Sequence, residues 1–532
     1  MKILFVWPNK DGFGFKPIGL SLLSGIARSL GWESRLFDTT EFDFGFVDST
    51  QSGESAKIFK PTDLSQYGLV KRKLDLDERF TKMLDEFKPD CLALSVLCDE
   101  YLIADKISSI SKKIQPALPI IWGGKYPTLN PEKTLKMFNA DFVCVSEGLD
   151  AFPDFLKAFS GNGDLYNIPN IWARKSNGSI VQNNIRPLKS DLDDLPYADW
   201  ELFDKRQFYK PYEGNVYFSG DHMLNWGCPY SCTYCINHIY HEAYDNRYFM
   251  RRYSIKRIIS ELKMLNNKYN LQFFKFHDED FLMRPLEDFR ELSDVYKQEV
   301  NIPFVIETNP KSVSKEKVKL LKNMNCVSAS IAVETGNNKL RRDMLKRVDT
   351  EEDIIRAFSL MKDVDIRTSA FVMLGIPFES RETYKDTVRL VKKSDTQYPC
   401  PTFFFPFDGT KLREISIKEG FFDPEDEEKY VYKRDKPALK FENLSESELI
   451  EMRNVFVLYV KLPECCEPYI KRSENQDDLG IKLRRKLLEI YDKTVWNNDG
   501  WYIDDGLMPK YLEELSELLA GNQNNSQEHK LN

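Results

Sequence analysis

The first 160 residues alternate short apolar runs with amphipathic segments, a pattern typical of parallel strands joined by helices. Residues 2–7 predict a strand, residues 17–32 a helix and residues 34–38 a second strand. After a polar insertion at about 42–66, further strands are predicted at 90–97, 119–122 and 142–145, with a helix at 101–114. We therefore expect an α/β fold with an amino-terminal, doubly wound, Rossmann-like domain over residues 1–160.

The pattern changes between residues 161 and 210. Asn177 and Gly178 separate two short apolar runs, at 171–174 and 179–182, and Asn-Gly in that position is a strong hairpin signal. A polar, Asp-rich stretch closed by Pro196 follows. We expect residues 161–210 to form an ordered connector that contains a hairpin.

A second alternating region predicts a partial (β/α)6 barrel over residues 211–415, in which functional groups belong at the carboxyl ends of the strands. Its charged continuation, residues 416–532, is expected to be a helical carboxy-terminal domain with a frayed tail from 521. The six strand candidates of the barrel are residues 222–226, 272–277, 303–308, 328–333, 368–374 and 402–407.

Composition and charge narrow the class of protein. The chain has 532 residues, of which 42% are hydrophobic and 30% charged, so it is an ordinary globular sequence rather than a fibrous or disordered one. The net charge of −8 argues against an extended nucleic-acid surface, and apolar runs stay well short of the roughly 18 residues of a membrane helix. We expect a cytoplasmic protein that acts on a small-molecule or peptide substrate, with no membrane or nucleic-acid partner.

Three of the ten cysteines stand together directly after the first predicted barrel strand. Cys228, Cys232 and Cys235 have the spacing C-x3-C-x2-C, which would arise by chance about 0.004 times in such a chain. Thiolates this close on one loop can hold an iron–sulfur cluster, and three ligands leave one iron open. Zinc is the alternative, with His238 or His241 completing the ligand set.

This cysteine loop resembles that of the radical S-adenosylmethionine (SAM) superfamily. The resemblance implies that the three cysteines bind a [4Fe-4S] cluster whose fourth iron chelates the amino and carboxylate groups of SAM. One electron, from a donor such as flavodoxin or ferredoxin, then cleaves SAM to a 5′-deoxyadenosyl radical. A radical of that energy has to form in a closed cavity that excludes competing donors.

The same resemblance implies contacts between the barrel and SAM. Tyr234, the aromatic residue before the last cysteine, is expected against the adenine. The acidic segment that contains Asp278 and Asp280 stands where the family binds the methionine amino group, although it lacks the common Gly-Gly-Glu form. Acidic side chains suit an ammonium group, so these two aspartates are candidate ligands.

Two later strand ends complete the expected SAM site. Glu334, followed by Thr335 and Gly336, resembles the family's Glu-Ser-Gly, and Lys346 stands at a later basic position that meets the cofactor carboxylate. Gly375 and Pro377 close the next strand, where the family brings its backbone close to the adenine. The remaining cavity wall is expected to include residues 307–309 and 403–405, which makes the pocket partly polar and partly apolar.

Two motifs in the amino-terminal domain resemble those of cobalamin-binding domains. Ser95 and Leu97 form S-x-L after one strand, and Gly123 and Gly124 follow the next. In cobalamin domains these motifs lie around the nucleotide tail, and a small hydroxyl and a bare backbone allow a bulky ligand close to strand ends. The resemblance therefore implies that this domain binds cobalamin.

The loop after the first strand departs from one branch of the cobalamin domains. That branch carries D-x-H-x-x-G to supply a histidine to cobalt, whereas residues 9–15 contain no histidine and the first in the chain is His222. We therefore expect a base-off, histidine-off cobalamin whose upper face is turned towards the barrel.

These features together predict a cobalamin-dependent radical SAM methyltransferase that moves a methyl group from methylcobalamin to an unactivated carbon or phosphorus. Three alternatives remain: a non-methylating rearrangement, cyclisation or oxidation; a radical enzyme without cobalamin; and a carrier of the two cofactors without enzymatic activity. A methylthiotransferase would need three more cluster cysteines, for which only Cys91, Cys98 and Cys144 are available. They fall on predicted strands and are interpreted as buried core thiols.

Overall fold

A computed structural model describes residues 1–161, 163–244, 249–433, 435–498 and 508–528 of the chain. Two seven-stranded sheets and a two-stranded ribbon form its β-structure. The strands are β1 (Lys2–Trp7), β2 (Glu33–Asp38), β3 (Cys91–Ser95), β4 (Ile120–Gly123), β5 (Phe142–Cys144), β6 (Ile171–Arg174), β7 (Ile180–Val181), β8 (Tyr209–Tyr212), β9 (Asn215–His222), β10 (Asn225–Trp226), β11 (Arg251–Arg252), β12 (Phe273–Phe276), β13 (Phe304–Thr308), β14 (Cys326–Glu334), β15 (Arg367–Leu374) and β16 (Tyr398–Phe403).

Helices connect most of these strands and make up the carboxy-terminal part. The α-helices of the first half span Ile18–Ser29, Ser49–Ser55, Leu76–Phe87, Tyr101–Ile114, Lys125–Leu129, Pro131–Met137, Gly148–Ser160, Asn237–Ala243 and Ile255–Tyr269. Those of the second half span Leu286–Glu299, Lys315–Asn323, Glu351–Lys362, Arg381–Lys393, Lys411–Lys418, Glu427–Tyr430, Glu446–Lys461, Glu467–Ser473, Asp478–Thr494 and Met508–Glu528, and a π-helix covers Leu340–Met344.

The first sheet has the order β2-β1-β3-β4-β5-β6-β7, and its first five strands are parallel. Its central strands are buried on both faces, so they appear in the sequence as continuous apolar runs. The strand order reverses between β1 and β3, which is where doubly wound sheets bind their ligands. The predicted doubly wound architecture is confirmed.

The predicted hairpin exists, but it is part of the first sheet rather than a separate connector. β6 pairs antiparallel with β5, and β7 pairs antiparallel with β6. The edge of β5 would otherwise present unpaired backbone groups, and the hairpin satisfies them. The sequence signal at Asn177 and Gly178 identified the turn, whereas the partner strand could not be read from local sequence.

The second sheet has the order β16-β15-β14-β13-β12-β9-β8 and curls into a half-barrel of six parallel strands, with β8 antiparallel on β9. The predicted partial barrel is confirmed. Its first strand was placed wrongly, however, because Asn215–His222 forms the strand and residues 225–226 only pair with Arg251–Arg252. Strand β9 carries Asp221 on its inner face, so it lacks the apolar run on which the prediction relied.

The half-barrel is open between its edge strands, β8 and β16, and side chains bridge the opening. Glu213, in the turn after β8, accepts a hydrogen bond of 2.8 Å from the Tyr398 hydroxyl and contacts Arg367. Lys60, from the amino-terminal insertion, lies 3.5 Å from the same carboxylate. The insertion therefore reaches the amino-terminal end of the barrel.

The insertion also packs inside this opening. Ala56 and Ile58, directly after the helix Ser49–Ser55, form a small buried cluster with Cys400 of β16 and Phe371 of β15. Since these two positions pair in register, both side chains lie on the same face of the sheet. A segment of the amino-terminal unit thus closes the side of the half-barrel.

The carboxy-terminal helices form their own core. Helix Glu446–Lys461 packs against β16 and helix Arg381–Lys393, and helix Asp478–Thr494 packs on it from the other side. The last helix continues to Glu528, so it includes the first eight residues of the tail that was predicted to be frayed, and residues 529–532 lie outside the described part. Among the described helices, none is long and apolar enough to cross a membrane.

Candidate cofactor sites at the strand ends

The cysteine loop is anchored on the rest of the barrel. The Thr233 hydroxyl donates to the carbonyl of Met344 at 2.7 Å, and the Thr233 amide donates to the carbonyl of Leu345 at 3.2 Å. Gly227 opens the loop with a φ of +86°, and a Cβ there would lie 2.5 Å from the carbonyl oxygen of Phe249. Only glycine fits this position, so the loop leaves the strand in a fixed direction.

The three thiols suit an iron cluster. Burial raises the pKa of the Cys235 thiol to about 12 and also raises the pKa of Cys228 and of Cys232, so the thiolates require a metal centre to form. Within the described residues, no three His, Cys, Asp or Glu side chains converge closely enough for a single metal ion. A cluster needs no such convergence, because each of its irons takes one thiolate.

The histidines of the zinc alternative are engaged elsewhere. The Nδ1 atom of His238 lies 2.5 Å from the carbonyl oxygen of Cys235, and the Nε2 atom of His241 lies 2.7 Å from the carbonyl oxygen of Cys228. Both rings therefore brace the backbone of the cysteine loop. This arrangement favours the cluster over a zinc site.

A buried network surrounds Tyr234. Its hydroxyl donates to Glu334 at 3.0 Å and accepts from Arg347 at 3.1 Å. Arg347 also lies 2.9 Å from Asp349 and donates to the carbonyl of Ala332 at 2.8 Å. The ring of Tyr234 is thus held in one orientation at the carboxyl end of the barrel.

Glu334 stands in the left-handed region, with a φ of +63°, at an irregularity where the register between β14 and β15 shifts. Burial raises the pKa of its carboxyl group, and the cation of Arg347 opposes this shift. Lys346, the predicted carboxylate ligand, is exposed, whereas the neighbouring Arg347 is buried beside Glu334. Sequence reasoning missed Arg347, which stands next to the predicted lysine.

Asp278 and Asp280 are buried and accept hydrogen bonds from groups within the protein. Asp278 accepts hydrogen bonds of 2.7 Å from both the amide and the side chain of Asn225, and burial raises its pKa to about 6. Asp280 accepts from the Thr308 hydroxyl at 2.6 Å and from the Ser312 hydroxyl. Both carboxylates fix neighbouring loops, so the structure does not leave them available as predicted for an ammonium group.

Glu279, between them, is exposed to the site. Asn237, at the start of the helix after the cysteine loop, donates to it at 3.5 Å. The pKa of Cys235 is raised first by burial and next by the charge of Glu279, which places this carboxylate beside the cluster loop. No local pattern distinguishes it from Asp278 and Asp280, because β12 ends at Phe276 and all three acidic residues follow the strand.

The loop after β15 begins with three buried residues, 375–377. Gly375 has a φ of +71°, and both Gly375 and Pro377 are buried. The Gly375 amide donates to the carboxyl group of Glu379, whose pKa is raised to about 8 by burial. Glu379 therefore holds the start of this loop in place, a role that the sequence did not suggest.

The two motifs of the first sheet lie side by side. Ser95 and Gly123 pair in register at the carboxyl ends of β3 and β4, and Leu97 beyond them is 41% exposed. Gly124 has a φ of +102°, and a Cβ there would lie 2.7 Å from the carbonyl oxygen of Val96. At Gly123 the nearest atom to such a Cβ is 3.8 Å away, so only Gly124 is required by the backbone itself.

The three other cysteines of the amino-terminal unit are separated. Cys91 begins β3 and Cys144 ends β5, and both are buried in the first core. Cys98 lies in the turn after β3, not on the strand as predicted. Because Cys91 lies at the opposite end of the sheet from the other two, a shared cluster has no support here.

The interior of the half-barrel is charged on one side. Asp221 of β9 lies 2.6 Å from both Lys16 and His277, and burial lowers the pKa of that histidine. On the adjacent strands, Lys275 lies 2.7 Å from Glu307. The predicted mixed pocket is only partly right, since Thr308 and Asn309 are buried against Asp280 and Phe404 packs in a separate core.

The comparisons with protein families match both halves of this arrangement. Residues 226–391 match the family model described as "Radical SAM superfamily", and residues 63–156 match the one described as "B12 binding domain". An uncharacterised methyltransferase of Pyrococcus horikoshii is 23% identical over 72% of this chain and 81% of its own length. The anaerobic magnesium-protoporphyrin IX monomethyl ester cyclase of Rubrivivax gelatinosus is 21% identical over 93% and 84%.

Two solved structures share the fold. The radical SAM methyltransferase TsrM of Kitasatospora setae, with tryptophan and a SAM analogue bound, covers 79% of this chain and 76% of its own, at 15% identity and a TM-score of 0.59. The cobalamin-dependent SAM radical enzyme OxsB, with aqua-cobalamin bound, covers 92% and 71%, at 14% identity and a TM-score of 0.61. The Rossmann-like sheet, half-barrel and helical end thus recur together.

Proposed function

This chain belongs to the radical SAM superfamily and carries a B12-binding domain, and from that premise we propose that it is a cobalamin-dependent methyltransferase. Its substrate is a small molecule bound in the half-barrel, and its product carries a methyl group on an unactivated carbon or phosphorus. An electron donor such as flavodoxin or ferredoxin reduces the cluster.

The observation that supports the proposal is that the carboxyl-terminal edge of the first sheet contacts the half-barrel beside the cysteine loop. Glu147, after β5, accepts a hydrogen bond of 3.0 Å from Arg251 of β11. Arg251 pairs in register with Trp226, which stands directly before the cysteine loop. The hydroxyls of Ser146, after β5, and Tyr244, after helix Asn237–Ala243, are 2.7 Å apart.

The residues divide the work between binding and orientation. The cysteines would hold the cluster, Glu279 would accept the methionine ammonium, and Arg347 with Tyr234 and Glu334 would fix the nucleoside side of SAM. Ser95, Leu97 and the Gly-Gly motif would surround the cobalamin tail. When bound, the cofactors supply a methyl donor and a carbon radical, and the closed side of the half-barrel excludes water from both.

The relatives support methylation without deciding it. The names of the P. horikoshii protein and of TsrM include "methyltransferase". A second candidate is a radical cyclisation or oxidation without methyl transfer, which is favoured by the cyclase relative because it aligns over 93% of this chain.

The test is to reconstitute the protein anaerobically with iron, sulfide and cobalamin, to supply electrons from reduced flavodoxin, and to measure the products of SAM. We expect 5′-deoxyadenosine from reductive cleavage, and S-adenosylhomocysteine with methylcobalamin from methyl donation. The Cys228→Ala, Cys232→Ala and Cys235→Ala variants should lose the cluster and 5′-deoxyadenosine. Cys326→Ala, at a buried thiol of β14, is the matched control and should retain both.

Two results would contradict the proposal at different levels. Cleavage of SAM by the three variants at the parental rate would exclude the cluster site. Formation of 5′-deoxyadenosine by the parent, with neither S-adenosylhomocysteine nor methylcobalamin, would exclude methyl transfer and favour the non-methylating candidate.

A further inference from the structure

The loop between β1 and helix Ile18–Ser29 carries two buried lysines six residues apart. The first, Lys10, has its Nζ atom 3.2 Å from the Oδ2 atom of Asp99, in the loop after β3. This pair spans the point where the strand order of the first sheet reverses, which is the expected ligand crevice. The amino-terminal end of the loop, after β1, is thus fixed across the crevice to the loop after β3.

The other end of the loop is fixed inside the barrel. The Nζ atom of Lys16 lies 2.6 Å from the Oδ2 atom of Asp221, and both side chains are 0% exposed. The same ammonium donates to the carbonyls of Gln207 at 3.2 Å and Ser219 at 3.4 Å. Lys16 is therefore the point at which the cobalamin-binding unit enters the wall of the half-barrel.

Further contacts extend this connection in both directions. Lys210 of β8 donates to the carbonyl of Gly14 at 3.1 Å, so the backbone of the loop is also held. On the barrel side, the Oδ1 atom of Asp221 lies 2.6 Å from the Nε2 atom of His277, two residues before Glu279. One carboxylate thus connects the loop under the cobalamin edge with the strand end at the SAM site.

This connection matters because the two reactions of SAM depend on different distances. Reductive cleavage needs the sulfonium beside the cluster, and both of its partners lie on the barrel. Methyl donation needs the SAM methyl carbon close to cobalt and in line, and cobalt is held by the other unit. A shift of about 1 Å in such an alignment can cost about a hundredfold in rate.

We propose that Lys16 and Asp221 are positioning residues that set the distance between cobalt and the SAM methyl group. The inference rests on the proposed function and deepens it. Loosening the pair shifts the first unit relative to the barrel, so methyl donation slows while reductive cleavage continues. The ratio of S-adenosylhomocysteine to 5′-deoxyadenosine reports this directly, and a purely structural role would not change it.

The central variant is Lys16→Met, which keeps the side-chain volume and leaves Asp221 in contact with Lys210, at 3.7 Å, and His277. We expect its product ratio to fall at least tenfold, with 5′-deoxyadenosine formation within twofold of the parent. Lys16→Arg keeps the charge and should restore part of the ratio. Lys57→Met is the matched control, because Lys57 pairs with Asp492 of the helical domain at 2.8 Å, away from both cofactors.

Asp221→Asn tests the other partner. It leaves the ammonium of Lys16 buried without its carboxylate, which can unfold the protein. The double variant Lys16→Met with Asp221→Asn removes both charges and avoids that problem. Iron and cobalamin contents, measured on each preparation, confirm that both cofactors are present before ratios are compared.

The outcomes separate the inference from the proposed function. A parent that makes both products, with Lys16→Met and the double variant at the parental ratio and full cofactor content, overturns the inference alone. A parent that makes 5′-deoxyadenosine but no S-adenosylhomocysteine overturns the proposed function and the inference with it. A ratio that falls equally in Lys57→Met would also overturn it, since any interdomain pair would then serve.

Discussion

Glu379 offers a sharp test of the electrostatics beneath the loop that follows β15. Its carboxyl group is buried, with the residue 5% exposed, and it accepts from the amides of Gly375 and Ile376. Burial raises its pKa to about 8, well above the ordinary 4.5. At neutral pH the folded protein therefore holds this group mostly protonated, whereas the unfolded chain ionises it.

The sign and size of the effect follow from proton linkage. Because the folded state binds the proton more tightly, stability is fully present below pH 4.5 and is lost as the pH rises towards 8. Each unit in that range costs about 1.36 kcal/mol, so the loss between pH 5 and pH 7.5 is about 3 kcal/mol. Glutamine has the shape of the protonated acid and does not titrate, so Glu379→Gln removes this slope.

The assay is thermal unfolding of the cofactor-free protein across that pH range. At about 2 °C per kcal/mol for a unit of this size, the midpoint of Glu379→Gln should gain on the parent by on the order of 6 °C between pH 5 and pH 7.5. Glu414→Gln, at an exposed helical position, should follow the parent throughout. Parallel curves for Glu379→Gln and the parent would refute the reasoning.

Three further substitutions test the candidate sites. Gly124→Ala should abolish the retention of cobalamin, measured by corrinoid absorbance, because the added methyl group would lie 2.7 Å from the carbonyl oxygen of Val96. The control variant Gly123→Ala should retain cobalamin. Equal retention by both variants would contradict the role of the backbone at Gly124. Arg347→Met leaves buried carboxylates unpaired and should cost about 3 kcal/mol in urea unfolding, so an unchanged midpoint would count against the network. Glu279→Gln should raise the KM for SAM at least tenfold in the 5′-deoxyadenosine assay at constant iron content; an unchanged KM would place the ammonium elsewhere.

Local patterns predicted much of the fold and the cluster loop. The parallel strands of the first sheet are continuous apolar runs because both of their faces are buried, so their positions could be read directly. The spacing of Cys228, Cys232 and Cys235 is itself a local property, since one short loop carries the whole ligand set. The glycine pair at the end of β4 was recognisable for the same reason.

The residues that were missed depend on tertiary contacts. Strand β9 was misplaced because Asp221 interrupts its apolar pattern, and the lysine that compensates this charge, Lys16, is distant in the chain. Asp278 and Asp280 accept hydrogen bonds from neighbouring loops, and only these tertiary contacts distinguish them from Glu279. Arg347 was passed over for Lys346 because residue type does not reveal which of two neighbouring cations is buried beside Glu334.

The segment that closes the side of the half-barrel is not subject to the same constraints as the residues proposed to hold the cofactors. The cysteine loop, the glycine loops and the carboxylates at the strand ends have to suit two cofactors, whereas Ala56 and Ile58 pack only on Phe371 and Cys400 at the inner face of the half-barrel. Exchanging this stretch for one of different bulk would change the space inside the half-barrel and leave the residues proposed to hold the cofactors unchanged. Such a scaffold can therefore change the shape of its interior through an insertion, separately from its cysteine and glycine loops.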